Sequence, residues 1–318
     1  MSESLGREAI EIGESGATKS GASGPLRRFR FAYFPGCSLE STAKEYDLSA
    51  RRVCPALGVE LQEIPDWNCC GATPAHSTNH LLGVALPARS LAKAEALGLD
   101  VAAPCAACFN RLKTARHEIL ESVSLGQRVQ EITGASVSGK SQVRNLLDVI
   151  ANTVGEAEVA SRVRRPLQGL KAVSYYGCML VRPSRIIQFD DPEDPKAMDR
   201  LVAATGAEAT DWPFKTECCG AALALSRTDV MVRMVGRILE MARIAGANCI
   251  VTACPLCHVN LDTRQRDVER SLGTRFGIPV YYFTQLLGLA MGYSPRQMGL
   301  HRHLVDPMEL LQTVGLAS

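Results

Sequence analysis

Two similar stretches of the chain, LDVAAPCAACFNRL (residues 99–112) and NCIVTACPLCHVNL (residues 248–261), decide its fold. Each begins with an apolar run that indicates a buried strand, and each continues into Cys-x-x-Cys where the pattern indicates the start of a helix. The first turn of such a helix brings both sulfurs to one face, and the positive end of the helix stabilises thiolates. The sequence therefore predicts two strand–helix units that each present a pair of thiolates.

The cysteines around these stretches are repeated as well. Ten of the twelve cysteines form two sets of five, the first being Cys37, Cys69, Cys70, Cys105 and Cys108, and the second Cys178, Cys218, Cys219, Cys254 and Cys257. A shift of 149 residues places the last four of the first set on the last four of the second. The leading cysteine shifts by 141, because the second copy carries about eight extra residues, which we place in the acidic, proline-rich QFDDPEDPK (residues 188–196). Repetition on this scale indicates two equivalent domains.

The elements between the cysteines indicate an α/β fold. RFAYFPGC (residues 30–37) and AVSYYGC (residues 172–178) are typical of strands that end in a turn, and residues 86–98 and 230–246 have apolar side chains at helical spacing. Because the order strand, helix, strand implies parallel pairing, we expect two pseudo-symmetric domains, each a small parallel sheet flanked by helices. The predicted boundaries are a flexible N-terminal tail at 1–28, a first domain at 29–120, a linker with an amphipathic helix at 121–169, and a second domain with a C-terminal extension at 170–318.

Composition narrows the class of protein. The 318 residues are 46% hydrophobic and 21% charged with a net charge of +2, which is typical of a globular protein and gives no reason to expect nucleic acid as a partner. No uninterrupted run of roughly 18 apolar residues predicts a membrane span. The N-terminus lacks the features of a secretory signal, so we expect a cytoplasmic protein with reduced thiols. Twelve cysteines therefore favour metal or redox chemistry over a disulfide scaffold.

Five thiolates in one place favour a metal cluster over a single ion. Loops at the carboxyl ends of parallel strands lie on one side of a sheet, which gathers the Gly-Cys turn and the Cys-x-x-Cys of each copy. The adjacent cysteine pair adds two thiolates, although a structural zinc site is satisfied by four ligands. An all-sulfur ligand set favours iron–sulfur or zinc, and zinc in one of the two sets is the alternative. The glycine after each adjacent pair permits a backbone conformation closed to other residues, or a close approach to inorganic sulfide.

Two cysteines and one histidine stand apart from the sets. Cys54 and Cys249 have no counterpart in the other copy and are interpreted as buried structural thiols. His258, one residue past the second Cys-x-x-Cys, is a candidate catalytic residue that could donate a proton to a departing sulfur. The sequence contains neither the dinucleotide-binding G-x-G-x-x-G nor the P-loop, so we expect electrons to be exchanged with another protein.

The cysteine spacing resembles that of a known family, the cysteine-rich CCG domain. That domain has Cys, about 31 to 39 residues, Cys-Cys-Gly, about 35 residues, and Cys-x-x-Cys. This chain has the pattern twice, with intervals of 31 and 34 residues in the first copy and of 39 and 34 in the second. From about residue 30 to residue 305 the chain resembles the B subunit of heterodisulfide reductase, notably in PCAACFNRLK, ACPLCHVNLD and YFTQLLGLAMG.

This resemblance implies a cofactor, a reaction and partners. In the family each set of five cysteines binds a noncubane 4Fe–4S cluster, and the two clusters face each other across the domain interface. A disulfide between them is cleaved, and an iron of each cluster captures one sulfur. Electrons arrive through the iron–sulfur C subunit from the flavin-containing A subunit. The methanogen enzyme reduces the mixed disulfide of coenzyme M and coenzyme B, whereas for relatives in sulfur-oxidising bacteria other sulfur carriers, such as lipoyl groups on a small protein, are the expected substrates.

Two other functions stay open at this point. CCG domains also occur in respiratory-type complexes, in which this chain would be a non-catalytic electron-transfer subunit. Alternatively, one set could hold zinc and the other an iron–sulfur cluster. The sequence names neither the disulfide nor the direction of the reaction.

Overall fold

The computed structural model of the chain describes residues 27–317, so the predicted N-terminal tail lies almost entirely outside the described residues. The first half consists of β1 (Phe29–Tyr33), α1 (Gly36–Glu40), α2 (Lys44–Ala56), β2 (Val59–Glu63), α3 (Ala72–Thr78), α4 (His80–Leu97), β3 (Val101–Ala103), α5 (Ala106–Glu121), α6 (Val123–Thr133), β4 (Val143–Asn145), α7 (Leu146–Asp148), a π-helical turn (Val149–Val154) and α8 (Glu156–Ser161).

The second half has the same plan. It consists of β5 (Lys171–Tyr175), α9 (Ser184–Ile187), α10 (Ala197–Ala204), β6 (Glu208–Thr210), a 3₁₀ turn (Ala221–Leu223), α11 (Thr228–Ile244), β7 (Cys249–Thr252), α12 (Pro255–Thr263), α13 (Gln265–Leu272), β8 (Val280–Tyr282), α14 (Phe283–Ala290), a second 3₁₀ turn (Leu300–Arg302) and α15 (Met308–Thr313). Of the helices within residues 27–317, none is long and apolar enough to cross a membrane.

The two halves contain sheets of identical topology. The strand orders are β2-β1-β3-β4 and β6-β5-β7-β8, and every neighbouring pair is parallel. The predicted α/β class and the internal duplication are therefore confirmed. Parallel strands direct their carboxyl ends to one edge, and Cys37, Cys105, Cys178 and Cys254 follow β1, β3, β5 and β7 at that edge.

The duplication extends beyond the cysteine sets. A shift of 137 residues aligns VRNLLDVIANTVG (residues 143–155) with VYYFTQLLGLAMG (residues 280–292), and both segments begin as the fourth strand of a sheet. The sequence predicts an amphipathic helix in a linker for the first segment, but its first three residues form β4, because Val143 pairs with Val101 of β3. The domain boundaries at residues 120 and 170 stay predictions.

One hydrophobic core runs through both halves. Helix α2 of the first half packs against α14 of the second, where the Ser49 and Thr284 hydroxyl oxygens lie 2.7 Å apart in a hydrogen bond. The rings of Tyr46 and Tyr282 stack at 4.1 Å with an interplanar angle of 10°. Because buried aromatic rings contribute large contact areas, this packing fixes how the two sheets are oriented to each other.

A buried lysine holds the segment that is inserted in the second copy. The Lys215 side chain is only 2% exposed, and its Nζ lies 2.9 Å from Asp194, 3.1 Å from Asp199 and 3.0 Å from Asp211. Asp194 belongs to the inserted residues, and the Lys215 carbonyl accepts from the backbone amides directly before Cys178. The insertion is thereby tied to the turn that carries the leading cysteine of the second set.

Candidate metal centre

The structure brings the five cysteines of the first set together. Cys37 lies in α1, Cys69 and Cys70 precede α3, Cys105 is the N-cap of α5, and Cys108 lies in the first turn of α5. The Sγ atoms of Cys37 and Cys69 are 3.8 Å apart, and those of Cys70 and Cys108 are 3.4 Å apart. Cys69 also interacts with Cys70, and Cys105 with Cys108, so the five thiols form one continuous group.

The second set has a corresponding arrangement. The Sγ atoms of Cys219 and Cys257 are 3.6 Å apart, while Cys178 interacts with Cys218 and Cys254 with Cys257. The glycines after the two adjacent pairs adopt left-handed backbone conformations, with φ of +81° in the first copy and +72° in the second. This confirms the prediction that the glycine permits a conformation unfavourable to other residues.

The two sets meet at one point. Cys105 and Cys254 are neighbouring thiols, and the hydrogen bond from Cys105 holds the pKa of Cys254 well below its ordinary value. The fully buried hydroxyl of Tyr46 lies 3.3 Å from the carbonyl oxygen of Pro104 and 3.4 Å from that of Ala253, which are the residues directly before the two cysteines. Tyr46 therefore joins the turn after β3 to the turn after β7 and keeps the two sets together.

Exposure differs within each set. Cys37, Cys69 and Cys218 are exposed and Cys178 is partly exposed, whereas the other six are buried, namely Cys70, Cys105, Cys108, Cys219, Cys254 and Cys257. Each set consequently has an inner part, closed to water, and an outer edge open to solvent.

Hydrogen bonds make the thiols within a set unequal. Those from Cys108 and Cys69 hold the pKa of Cys70 far below its ordinary value, although its burial acts in the opposite direction. In the second set, the hydrogen bond from Cys178 lowers the pKa of Cys218 to about 6. Each set therefore contains one thiol that ionises readily, and the thiolate is the form in which cysteine binds metals.

The two cysteines outside the sets are buried, as predicted. Cys54 lies in α2 and Cys249 begins β7, and burial raises the pKa of each thiol to about 12. Thiols with such a high pKa are poor nucleophiles and poor metal ligands at neutral pH.

His258, the residue after Cys257 in α12, is also buried. Its Nε2 lies 2.9 Å from the carbonyl oxygen of Val280, so Nε2 carries the proton and donates it to this hydrogen bond. The ring stacks on Tyr282 at 4.3 Å, and burial lowers the pKa of His258 to about 4. The imidazole is therefore neutral at physiological pH, and its proposed role as a proton donor stays a prediction.

Three residues at the site are not among those that the sequence analysis selects. Tyr46 joins the two sets, the hydroxyl of Tyr282 is buried with no hydrogen-bond partner among the described residues, and the same holds for Nε of Arg111. Only Arg111 could be found from spacing, since it follows Cys108 by three residues and so lies on the same face of a helix.

The chemistry of the donor set fits an iron–sulfur cofactor. Within residues 27–317 no three His, Cys, Asp or Glu side chains converge as they would on a single metal ion. A Cβ atom on Gly36 would lie 2.7 Å from Sγ of Cys108, and one on Gly177 would lie 3.0 Å from Sγ of Cys257, so glycine keeps both sulfurs unobstructed. The hydroxyl of Tyr282 is buried without a hydrogen-bond partner among the described residues, so its proton is left for an acceptor that a bound group would supply.

Comparisons with known proteins match both halves of the chain to one domain family. The cysteine-rich CCG domain family matches residues 31–113 and 172–262. The chain is 34% identical to the 8-methylmenaquinol:fumarate reductase membrane anchor subunit of Wolinella succinogenes, over 88% of this chain and 98% of the relative. It is 30% identical to the B subunit of the ferredoxin:CoB-CoM heterodisulfide reductase of Methanosarcina mazei, over 90% of this chain and 97% of the relative. A protein of Archaeoglobus profundus, described as similar to the B subunit of heterodisulfide reductase, is 29% identical over 85% of this chain and 93% of the relative.

A solved structure shares the fold. The crystal structure of a hypothetical protein from Helicobacter pylori superposes with a TM-score of 0.66 at 12% sequence identity, and covers 87% of this chain and 52% of that protein. This chain thus spans about half the length of that structure, and the likeness concerns the fold alone. With the family match in both halves and relatives of about 30% identity over most of its length, the chain belongs to the cysteine-rich CCG domain family and resembles the B subunit of heterodisulfide reductase.

Proposed function

We propose that the chain is the iron–sulfur catalytic subunit of a heterodisulfide reductase-like complex that interconverts a disulfide and two thiols. The observation that carries the proposal is the position of Cys105 beside Cys254, because it brings two five-thiol sets to one point of the molecule. A disulfide has two sulfurs, and a site with two equivalent halves can accept one sulfur in each half.

Each set would hold one noncubane 4Fe–4S cluster. The ligands would be Cys37, Cys69, Cys70, Cys105 and Cys108 for one cluster, and Cys178, Cys218, Cys219, Cys254 and Cys257 for the other. When bound, such clusters supply one-electron steps and iron atoms with affinity for sulfur. Zinc in one of the two sets is the alternative that metal analysis distinguishes.

Reduction of the disulfide breaks the S–S bond, consumes two electrons and two protons, and yields two thiols. In this chain Tyr46 would keep the two sets at a fixed separation, through its contacts with the turns after β3 and β7. The six buried cysteines keep water from the inner part of the site, and the exposed edge gives access. Because the carbonyl of Val280 binds Nε2–H of His258, only Nδ1 of that ring is free, and in the neutral imidazole it can accept a proton but has none to donate.

The proposal includes partners and a cellular location. The relatives are named after one component of a larger enzyme, so this chain would exchange electrons with other proteins in the cytoplasm. One partner would be an iron–sulfur protein similar to the C subunit of heterodisulfide reductase, and another a flavin-containing protein similar to its A subunit. The substrate would be a small disulfide or one carried on a lipoyl protein.

One relative favours a second candidate function. The protein from Wolinella succinogenes is named as the membrane anchor subunit of an 8-methylmenaquinol:fumarate reductase, and its 34% identity covers most of both chains. In this case the chain would be a non-catalytic subunit that transfers electrons within a respiratory-type complex, and disulfides would not react at its metal centres.

Metal content and a disulfide-dependent spectrum test the proposal. Protein purified without oxygen is expected to contain about eight irons per chain, as much acid-labile sulfide and no zinc. Addition of disulfides to the reduced protein is then expected to change its electron paramagnetic resonance spectrum. About four irons with one zinc would exclude two-cluster cleavage. Full iron content without a response to any small or lipoyl disulfide would favour the electron-transfer function.

A further inference from the structure

The two copies carry residues of different charge three positions after the last cysteine of each set. Arg111 follows Cys108 by three residues in α5, and Asn260 follows Cys257 by three residues in α12. The shift of 149 residues that relates the cysteines also relates these two side chains. Residues three apart lie on one face of a helix, so Arg111 and Asn260 lie on the helix faces that carry Cys108 and Cys257.

Arg111 is a partly buried cation that makes no salt bridge with a carboxylate of the described residues. Its Nη2 donates to Oδ1 of Asn110 at 3.2 Å, and its Nε is buried without a hydrogen-bond partner in residues 27–317. Asn110 is held in turn by the second half, because its Nδ2 donates to the carbonyl oxygens of Met179 at 2.9 Å and Arg182 at 2.7 Å. Arg111 is thus held through Asn110 beside the helical turn that carries Cys108.

The equivalent position in the second set is neutral. Asn260 is 2% exposed, and its Nδ2 donates to the carbonyl oxygen of Cys219 at 2.9 Å. Cys219 is the counterpart of Cys70 in the repeat. The second set therefore has an uncharged amide that positions the backbone, where the first set has a positive charge.

Arg111 acts electrostatically on the first set. Burial lowers the pKa of the guanidinium, and the nearby thiol of Cys70 partly offsets this effect. A partly buried charge interacts more strongly with its surroundings than a charge in water, because the local dielectric constant is lower.

On these grounds we infer that Arg111 makes the two metal centres unequal, giving the first set the higher reduction potential. This inference rests on the proposed function, in which each set holds an iron–sulfur cluster. Reduction adds negative charge to a cluster, and a fixed cation stabilises the reduced form. The first electron to arrive consequently stays at the first set, and the second set is the stronger reductant. In this scheme Arg111 acts through its charge on the first cluster and does not contact the substrate.

Redox titration of variants tests the inference. Without oxygen, the wild type is expected to show two midpoint potentials, and Arg111→Gln is expected to lower only the higher one while iron content stays unchanged. Arg111→Lys, which keeps the charge, is expected to restore most of the shift. Arg266→Gln is the matched control, because Arg266 is an exposed cation on α13, and both potentials should stay as in the wild type. In a Cys219→Ser background only the first set keeps its cluster, and its single potential should fall when Arg111→Gln is added.

Specific outcomes overturn the inference. Unchanged potentials in Arg111→Gln with full iron would show that the cation has no electrostatic role, and an equal fall in both would show that it does not distinguish the sets. If Arg111→Gln loses the iron of the first set alone while Arg111→Lys retains it, the result supports an effect of the positive charge on the first set only. Loss of all iron in both variants would indicate a structural role instead. If the wild type does not contain two clusters, the result contradicts the proposed function itself and not the role of Arg111.

Discussion

Cys105 and Cys254 are adjacent in space, although 149 residues separate them in the chain. Each follows a parallel strand at the equivalent position of a duplicated sheet, and Tyr46 binds the carbonyls of both preceding residues. This pair of thiols, at the interface of the two halves, is the point at which the two cysteine sets meet.

Their proximity predicts a specific crosslink. When metal-free protein is mildly oxidised, we expect a disulfide between Cys105 and Cys254, which peptide mapping without reductant would detect. Cys254→Ala should abolish it, whereas Cys249→Ala should not, because Cys249 is buried at the other end of β7. Crosslinks within a set, such as one between Cys70 and Cys108 with Sγ atoms 3.4 Å apart, are expected as well. The contradicting result is the absence of a crosslink between the sets in a variant with both Cys108→Ala and Cys257→Ala, in which Cys105 and Cys254 lose their neighbours within the sets.

Ligand and non-ligand cysteines should respond differently to substitution. We expect Cys219→Ser to lose the second cluster, about half of the iron, and any disulfide activity, since a hydroxyl is a poor substitute for thiolate toward iron. Cys54→Ser should retain both clusters because Cys54 lies in α2, in the core. Iron and sulfide analysis of both variants is the measurement. Loss of iron from the Cys54 variant with retention in the Cys219 variant would refute the assignment.

Gly36 should be intolerant of a side chain for a steric reason. It has φ of +71°, and a Cβ atom would lie 2.7 Å from Sγ of Cys108. Gly98 has a similar φ of +67°, but a Cβ atom there would meet no other atom within 4 Å. Both alanine variants should lose about 1 kcal/mol of stability from backbone strain. Only Gly36→Ala is expected to lose iron from the first set, and equal iron contents in the two variants would contradict the steric argument.

Lys215 should contribute strongly to stability. Replacement by methionine leaves Asp199, which is 14% exposed, without its cation, and we expect the free energy of unfolding to fall by about 3 kcal/mol. Lys196 contacts Asp194 and Asp211 too but its side chain is 45% exposed, so Lys196→Met should cost less than about 1 kcal/mol. Urea unfolding of the two variants gives the comparison. Similar losses for both would show that burial of Lys215 is unimportant.

His303 should make the protein less stable in mild acid. Burial, with a further contribution from His258, lowers the pKa of His303 to about 3, and Gln285 donates a hydrogen bond to its Nε2 at 2.9 Å. In the unfolded chain the imidazole of His303 takes up a proton below about pH 6.5, whereas in the folded protein it does so only near pH 3. The free energy of unfolding is therefore highest above pH 6.5 and falls as the pH decreases toward 3.

We expect His303→Gln to remove about 2 kcal/mol of the difference in unfolding free energy between pH 7.5 and pH 5. His301→Gln is the control, because His301 is exposed. Urea unfolding of both variants and the wild type at the two pH values gives the measurement. An unchanged pH dependence in the His303 variant would show that another group is responsible.

Several features of this protein follow from its sequence alone. The doubled cysteine spacing predicts the duplication, the all-sulfur donor sets and the parallel α/β architecture, because metal ligands and strand–helix periodicity are local patterns. The burial of Cys54 and Cys249 could be inferred in the same way, from the absence of a counterpart. β4 is missed because its residues continue directly into the helically spaced apolar residues that follow, and only pairing with β3 reveals the strand.

The relation between the two halves is decided by tertiary structure. Nothing near Tyr46 in the sequence indicates that its hydroxyl lies between two carbonyls, one of them 207 residues away. The hydrogen bond of His258 to Val280, and the position of Arg111 opposite a neutral Asn260, likewise depend on which surfaces pack together. Local sequence determines which thiols are available, whereas long-range packing determines which of them meet and which charge lies beside them.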